Sequence, residues 1–292
     1  MMRMLVTGKT GQLACSLVER AKGFPHISVI TLGRPELDLE DPAGTEARIL
    51  AEKPDIVVNA AAYTAVDKAE SEPDRAFAVN RDGAAAVARA AARLNVPLVH
   101  ISTDYVFDGT KGEPYVETDT PNPINVYGAS KLAGEQAVMA AHPAPVILRT
   151  SWMFSPYGNN FVKTILRLAK ERDVIRVVDD QFGTPTSALD LADAILTIVP
   201  TLSTAPGSGG LYHFCNEGRT SWCGFARFIL AESARLGGPT AKVEAITTAE
   251  YPTAARRPAT SELCTSAFEH QHKISPAGWQ AALGGALRYL VS

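Results

Sequence analysis

The segment Tyr127-Gly-Ala-Ser-Lys131 puts a phenol and an ammonium four positions apart. On a helix, positions i and i+4 lie on one face. A lysine cation favours the phenolate and so lowers the tyrosine pKa. A tyrosine tuned toward neutral pH can give a proton to a carbonyl oxygen or take one from an alcohol. The spacing alone is common. It gains weight from a glycine-rich turn, Thr7-Gly8-Lys9-Thr10-Gly11-Gln12-Leu13-Ala14, directly after an apolar strand. Together they point to a nicotinamide cofactor and a keto/alcohol redox reaction.

The turn reads as a dinucleotide motif opening a helix. Gly8 permits the tight turn. Gly11 lets the backbone approach a pyrophosphate at the helix N-terminus, and Ala14 lets helix and strand pack closely. The next strand ends in Thr31-Leu32-Gly33-Arg34, without the carboxylate that would bind the ribose 2′-hydroxyl of NAD. Arg34 either meets a 2′-phosphate or is a solvated surface arginine. NADPH and NADH both stay open. Asp38, beside Leu39, is placed to accept from an adenine amine. Ala60, Ala61 and Ala62 let a flat ligand lie against the backbone, or simply fill a crowded core.

Further strand ends carry hydroxyls and an acid. Thr103 is expected to reach both a substrate carbonyl and Tyr127. Ser102 reads as a buried hydroxyl satisfied by backbone. Trp152 either packs on a sugar face or fills the core, and Asn160 opens a helix as a cap. The paired Arg256 and Arg257 suit a diphosphate or a charged surface.

These residues need a frame that brings strand ends together. Short β-branched runs alternate with alanine-rich helical stretches through the first half. Strands are expected over Met4–Thr7, Ile27–Leu32, Asp55–Val58, Pro97–Thr103 and Pro145–Thr150. Helices are expected over Gln12–Ala21, Gly44–Glu52, Asp82–Leu94 and Val126–Ala141. Near-continuous apolar strands require both faces to be covered. The fold class is therefore α/β, a Rossmann-type doubly wound parallel sheet. Residues 1–150 are expected to bind the dinucleotide. Residues 151–292 are expected to form mostly a smaller α/β substrate-binding domain, with segments near 174–200 returning to the first. Thr201–Gly210 reads as a polar loop.

Composition narrows the class. The chain has 292 residues, 46% hydrophobic and 20% charged, with net charge −3. No block of like charge favours nucleic acid or an anionic membrane surface. No apolar run reaches the roughly 18 residues of a membrane span. The apolar start, Met1 to Val6, meets Gly8 too early for a signal peptide. Cys15, Cys215, Cys223 and Cys264 form no C-x-x-C pair, which is expected of reduced thiols in a cytoplasmic protein.

Longer motifs add a resemblance. Gly8-Lys-Thr-Gly-Gln-Leu13, Asn59-Ala-Ala-Ala-Tyr-Thr-Ala-Val-Asp-Lys-Ala-Glu70 and Ser102-Thr-Asp-Tyr-Val-Phe-Asp-Gly109 come first. Asn125-Val-Tyr-Gly128, Arg149-Thr-Ser-Trp152, Gly158-Asn-Asn-Phe161 and Asp180-Gln-Phe-Gly-Thr-Pro-Thr186 follow in order. From about residue 4 to 264 the chain resembles the dTDP-4-dehydrorhamnose reductase family of the extended short-chain dehydrogenase/reductases. The resemblance implies reduction of a dTDP-4-keto-6-deoxy sugar to dTDP-L-rhamnose by NADPH or NADH. It implies Tyr127 as proton donor, Lys131 on the nicotinamide ribose, and Thr103 polarising the system. Gly8, Gly11, Gln12, Leu13, Asp38, Leu39 and Ala60 to Ala62 would line the cofactor. Thr103, Asp104, Trp152, Asn160, Arg257 and Ser261 would face the substrate. Some members hold magnesium at a dimer interface through acids. The matching positions here are Ser16 and Leu189, so no metal is expected, and monomer and homodimer both stay open. Where the family has Asn-Ser-x-Leu-Asp, this chain has Thr260-Ser261-Glu262-Leu263-Cys264. An epimerase or dehydratase of the same superfamily, or a non-catalytic regulatory subunit of an adenosyltransferase, is the alternative. Intact Thr103, Tyr127 and Lys131 weigh against the latter.

Overall fold

A strand covered on both faces needs apolar side chains on both. Strand β1 (Met2–Thr7) meets this with Met4, Leu5 and Val6, all fully buried. Met4 and Val6 join one core and Leu5 the other, as the two-residue period of a strand requires. The computed structural model describes residues 1–204 and 209–291. Within them, β2 (Ile27–Leu32), β3 (Ile56–Asn59), β4 (Leu98–Thr103), β5 (Val146–Thr150) and β6 (Gly210–His213) join β1 in one parallel sheet. The order is β6-β5-β4-β3-β1-β2. Every residue of β3, β4 and β5 is buried, while the edge strands β2 and β6 are half-covered.

Helices close both faces. On one side α1 (Gln12–Arg20) and α6 (Ala188–Thr204) pack Leu13, Leu17, Leu191 and Ile195 against Met4, Val6 and Val58. On the other, α2 (Pro42–Glu52) and α3 (Ala84–Leu94) set Ile49 and Val87 against Leu5 and Val57. Helix α4 (Val126–Ala141) joins that face through Val138. Each such aliphatic side chain contributes about 1.5–3 kcal/mol on burial. Helix α4 starts where Asn125 caps it, its side chain accepting from Gly128 N–H at 2.7 Å. Gly128 is required there: a Cβ would sit 2.0 Å from the Tyr105 carbonyl oxygen. That close approach seats Tyr127 next to the end of β4.

A second core lies beyond residue 150. Helices α5 (Phe161–Glu171), α7 (Trp222–Arg235) and α8 (Trp279–Val291) enclose Ile165, Phe225, Ile229 and Leu283. A two-stranded parallel sheet, Val174–Val178 with Lys242–Ile246, borders it. The stretch around 174–200 is thus split: 174–178 pairs in the small sheet, while 188–204 packs on the main one. Helix α6 runs to Thr204 through Pro200, beyond the start of the expected polar loop, and β6 begins at Gly210. Residues 205–208 of that loop lie outside the described residues. No described helix is long and apolar enough to cross a membrane.

Candidate active site

The carboxyl ends of the parallel strands border a cleft of about 1040 Å³, where ligands of this fold bind. At one end, Gly8 adopts φ +97° and donates its N–H to Leu32 O at 2.7 Å. A Cβ on it would already touch Ala61 at 3.4 Å. Gly11 then precedes α1 without any side-chain cap. The first N–H groups of the helix are left for an anion. Behind the turn, Thr7 donates its hydroxyl to Asn59 Oδ1 at 2.7 Å and accepts from Ala61 N at 3.0 Å. Asn59 pairs with His100 at 3.0 Å. Burial first, and then the Lys131 charge, hold the His100 imidazole well below its ordinary value, so it stays neutral.

The cleft gathers Gly8, Gly11, Gln12, Leu13, Arg34, Asp38, Leu39 and Ala60 to Ala62. Arg34 is exposed, its guanidinium 3.9 Å from Glu40. Lys9, beside it in the cleft wall, pairs with Glu36 at 2.8 Å. Asp38 accepts from Glu40 N at 3.1 Å.

At the other end stand Thr103, Asp104, Tyr127, Lys131, Trp152 and Asn160. Lys131 is buried and donates to Ile101 O at 2.6 Å. Burial lowers it to about 8, against the pull of Glu135. Burial pushes the Tyr127 phenol up to about 12; the Thr103 hydroxyl works against this and Asp104 reinforces it. The shift is thus opposite to the one the Tyr-x-x-x-Lys spacing predicts, because desolvation dominates and the group that opposes it is the Thr103 hydroxyl rather than Lys131. Thr103 donates to Asp104 Oδ1 at 3.0 Å and accepts from Tyr105 N at 3.2 Å. Burial raises the Asp104 carboxyl to about 7, while the hydroxyls of Ser261 and Thr103 hold it down. Tyr105 meets the Tyr127 ring edge to face at 5.9 Å.

Four residues differ from simple expectation or do more than it foresaw. Ser102 is buried but donates to the Glu135 carboxylate at 2.5 Å rather than to backbone. Asn160 caps α5, accepting from Lys163 N at 3.1 Å, and also donates to Gln12 Oε1 at 3.0 Å. Arg257 does not line the cleft; it grips Asp67 at 2.7 and 3.0 Å. Ser261 also lies off the cleft wall, behind Asp104.

Sequence reading missed Glu135 and its partner Arg149. They form a bidentate pair, 2.9 and 2.7 Å, at 1% and 2% side-chain exposure. Glu135 sits four residues after Lys131, so the same helix-face argument that found Lys131 would have found it. The pair fixes α4 to β5 directly behind the site.

A doubly wound sheet of this order, with a tyrosine and a lysine one helical turn apart at its carboxyl edge, is the architecture of the extended short-chain dehydrogenase/reductases. Residues 2–291 match the model of the RmlD substrate binding domain family, and the chain belongs to that family. It is 50% identical over 281 residues to the dTDP-4-dehydrorhamnose reductase of Sinorhizobium fredii, covering 96% of this chain and 94% of that one. It is 40% identical to that of Escherichia coli K12, covering 99% and 98%. The crystal structure of the dTDP-4-dehydrorhamnose reductase from Bacillus anthracis in complex with NADP superposes with TM-score 0.90 at 37% identity, covering 98% and 99%.

Proposed function

We propose that this protein reduces dTDP-4-dehydro-6-deoxy-L-mannose (dTDP-4-dehydrorhamnose) to dTDP-L-rhamnose with NADPH or NADH. One observation carries the reading. Tyr127, Lys131, Thr103 and Asp104 share a cleft with the glycine turn, in a chain 50% identical to a reductase of that name. The turn fits a dinucleotide: its helix N-terminus is uncapped, and the wall beside Gly8 is the small Ala61. Bound NAD(P)H supplies the hydride.

In this reading, residues 1–150 hold the cofactor and much of 151–292 the sugar nucleotide. Gly8, Gly11, Gln12, Leu13, Asp38, Leu39 and Ala60 to Ala62 line the dinucleotide, with Arg34 near a 2′-phosphate. Lys131 holds the nicotinamide ribose. Tyr127 gives its proton to the sugar oxygen as negative charge develops there. Its raised pKa keeps the phenol protonated at neutral pH, and an alkoxide is a far stronger base than a phenolate. Thr103 and Asp104 bond the sugar, Trp152 packs on it, and Asn160 borders it. Arg257 can take the diphosphate in place of Asp67, with Ser261 beside it. The four cysteines are free thiols, which suits a reducing cytoplasm.

The test mixes protein, NADPH and the dTDP-4-keto sugar. It follows loss of NADPH absorbance and identifies the sugar by NMR. Stoichiometric oxidation with dTDP-L-rhamnose as product is expected. A well-folded protein that changes the sugar without consuming NADPH, or leaves it unchanged, overturns the reading.

A further inference from the structure

Trp152 occupies a backbone conformation that a bulky residue rarely adopts, φ +43°. Such an outlier persists only where its surroundings hold it, and it directs attention to function. Here two neighbours hold it. Its indole lies flat on that of Trp222, ring centres 3.5 Å apart and planes within 7°. Its edge closes on Gly183, where a Cβ would lie 2.6 Å from Trp152 Cε2.

Trp222 is itself anchored. It is the first residue of α7, directly after the cap Ser221, whose hydroxyl accepts from Gly224 N at 2.9 Å. Phe161 braces it at 4.6 Å from the start of α5. Trp152 borders the cleft beside Thr103 and Tyr127, whereas Trp222 does not. A ring that backs a cleft-lining ring without reaching the cleft can fix its plane but cannot touch what binds.

We propose that Trp222 is a positioning residue: it sets the plane of Trp152 against the sugar of the sugar nucleotide, and so selects for that sugar without contacting it. The inference rests on the proposed reductase reading. Loss of the stack removes orientation, not the proton donor or the cofactor site. The effect should fall on binding of the sugar portion alone.

The experiment compares Trp222→Ala, Trp222→Phe and wild type by calorimetric titration with dTDP-L-rhamnose, dTDP and NADPH. An aromatic pair of this kind corresponds to about three- to tenfold in affinity. Trp222→Ala should weaken dTDP-L-rhamnose by that factor, leave dTDP and NADPH unchanged, and raise KM rather than lower kcat. Trp222→Phe should restore most of the loss. The exciton signal of stacked indoles in circular dichroism should vanish in Trp222→Ala and in Trp152→Ala alike. Trp222→Leu keeps apolar bulk without a ring plane and gives the same reading should the alanine variant not fold. Wild-type affinity for dTDP-L-rhamnose in a folded alanine or leucine variant overturns the inference, as does an equal loss for dTDP or NADPH. The titrations are binding measurements, so they decide the inference even if wild type fails to turn over the keto sugar, a failure that would overturn only the reductase reading.

Discussion

The Lys131 ammonium donates to the Ile101 carbonyl oxygen at 2.6 Å, and this bond ties the helix that carries Tyr127 to the strand that carries Thr103. Four positions on, Glu135 grips Arg149 of the next strand and accepts from Ser102. One helix face thus fastens two strand ends, and it sets the Tyr127 phenol beside the Thr103 hydroxyl.

Removal of the phenol hydroxyl should separate chemistry from binding. Tyr127→Phe keeps the ring that Tyr105 contacts edge to face, so fold and NADPH affinity should persist. General acid catalysis contributes about 10²- to 10⁴-fold, and kcat should fall by that order. Steady-state kinetics beside a cofactor titration checks this; near-wild-type turnover would refute Tyr127 as the donor.

Lys131 should impose an alkaline limit. Its pKa is lowered to about 8 from an ordinary 10.5. The ammonium is therefore charged below pH 8 and lost as pH rises through that value. Cofactor affinity and kcat/KM should decline there, well before Tyr127 titrates near 12. Lys131→Met should abolish this limb and weaken NADPH at all pH values. A wild-type profile flat up to the range of an ordinary lysine would sink the assignment.

Asp104 should make stability depend on pH in a known direction. Its carboxyl is raised from 3.8 to about 7 in the folded protein. The folded state binds the proton more tightly, so the stability it contributes is complete below 3.8 and is lost as pH rises through about 7. Asp104→Asn, always neutral, should escape this loss. Above pH 7 the variant should be more stable than wild type by up to roughly 4 kcal/mol, and below pH 3.8 the difference should vanish. Urea unfolding at several pH values measures it, and a pH-independent difference would contradict the buried carboxyl.

Cofactor choice should lean to NADPH, though mildly. Arg34 follows a strand end that lacks a carboxylate, but its guanidinium is exposed and has Glu40 3.9 Å away. A charge-assisted bond is worth about 1.5–3 kcal/mol, and solvent pushes this to the lower end. Arg34→Ala should lower kcat/KM for NADPH about tenfold and leave NADH little changed. Equal losses for both cofactors would remove Arg34 from the 2′-phosphate.

Much of this protein is legible in its sequence because the signals are local. Helix α4 keeps the bounds Val126–Ala141 that its alanine-rich run suggests, and the glycine turn follows from the tight turn that Gly8 permits. The unbroken apolar runs at Met4–Val6 and Ile56–Val58 demand a sheet buried on both faces. Tyr127 and Lys131 are four apart on one helix, so their shared face is fixed before any folding is known. The helix Ser266–His272 and the pairing of Val174–Val178 with Lys242–Ile246 carry no comparable signal; the latter joins segments too far apart in the chain for any local pattern to pair them.

Tertiary structure alone decided the charge states and the partners. Burial depends on every element packed around a group. The phenol of Tyr127 therefore rises when its neighbour in sequence predicts a fall, and Asp104 reaches about 7 beside two hydroxyls. Arg257, read from sequence as a phosphate ligand or a surface charge, is held by Asp67 from 190 residues away. Trp152 and Trp222, 70 positions apart, stack because the end of β5 and the start of α7 meet beside the cleft. Sequence spacing fixes which side chains share a face; only the packed chain fixes which faces meet and how much water is left between them.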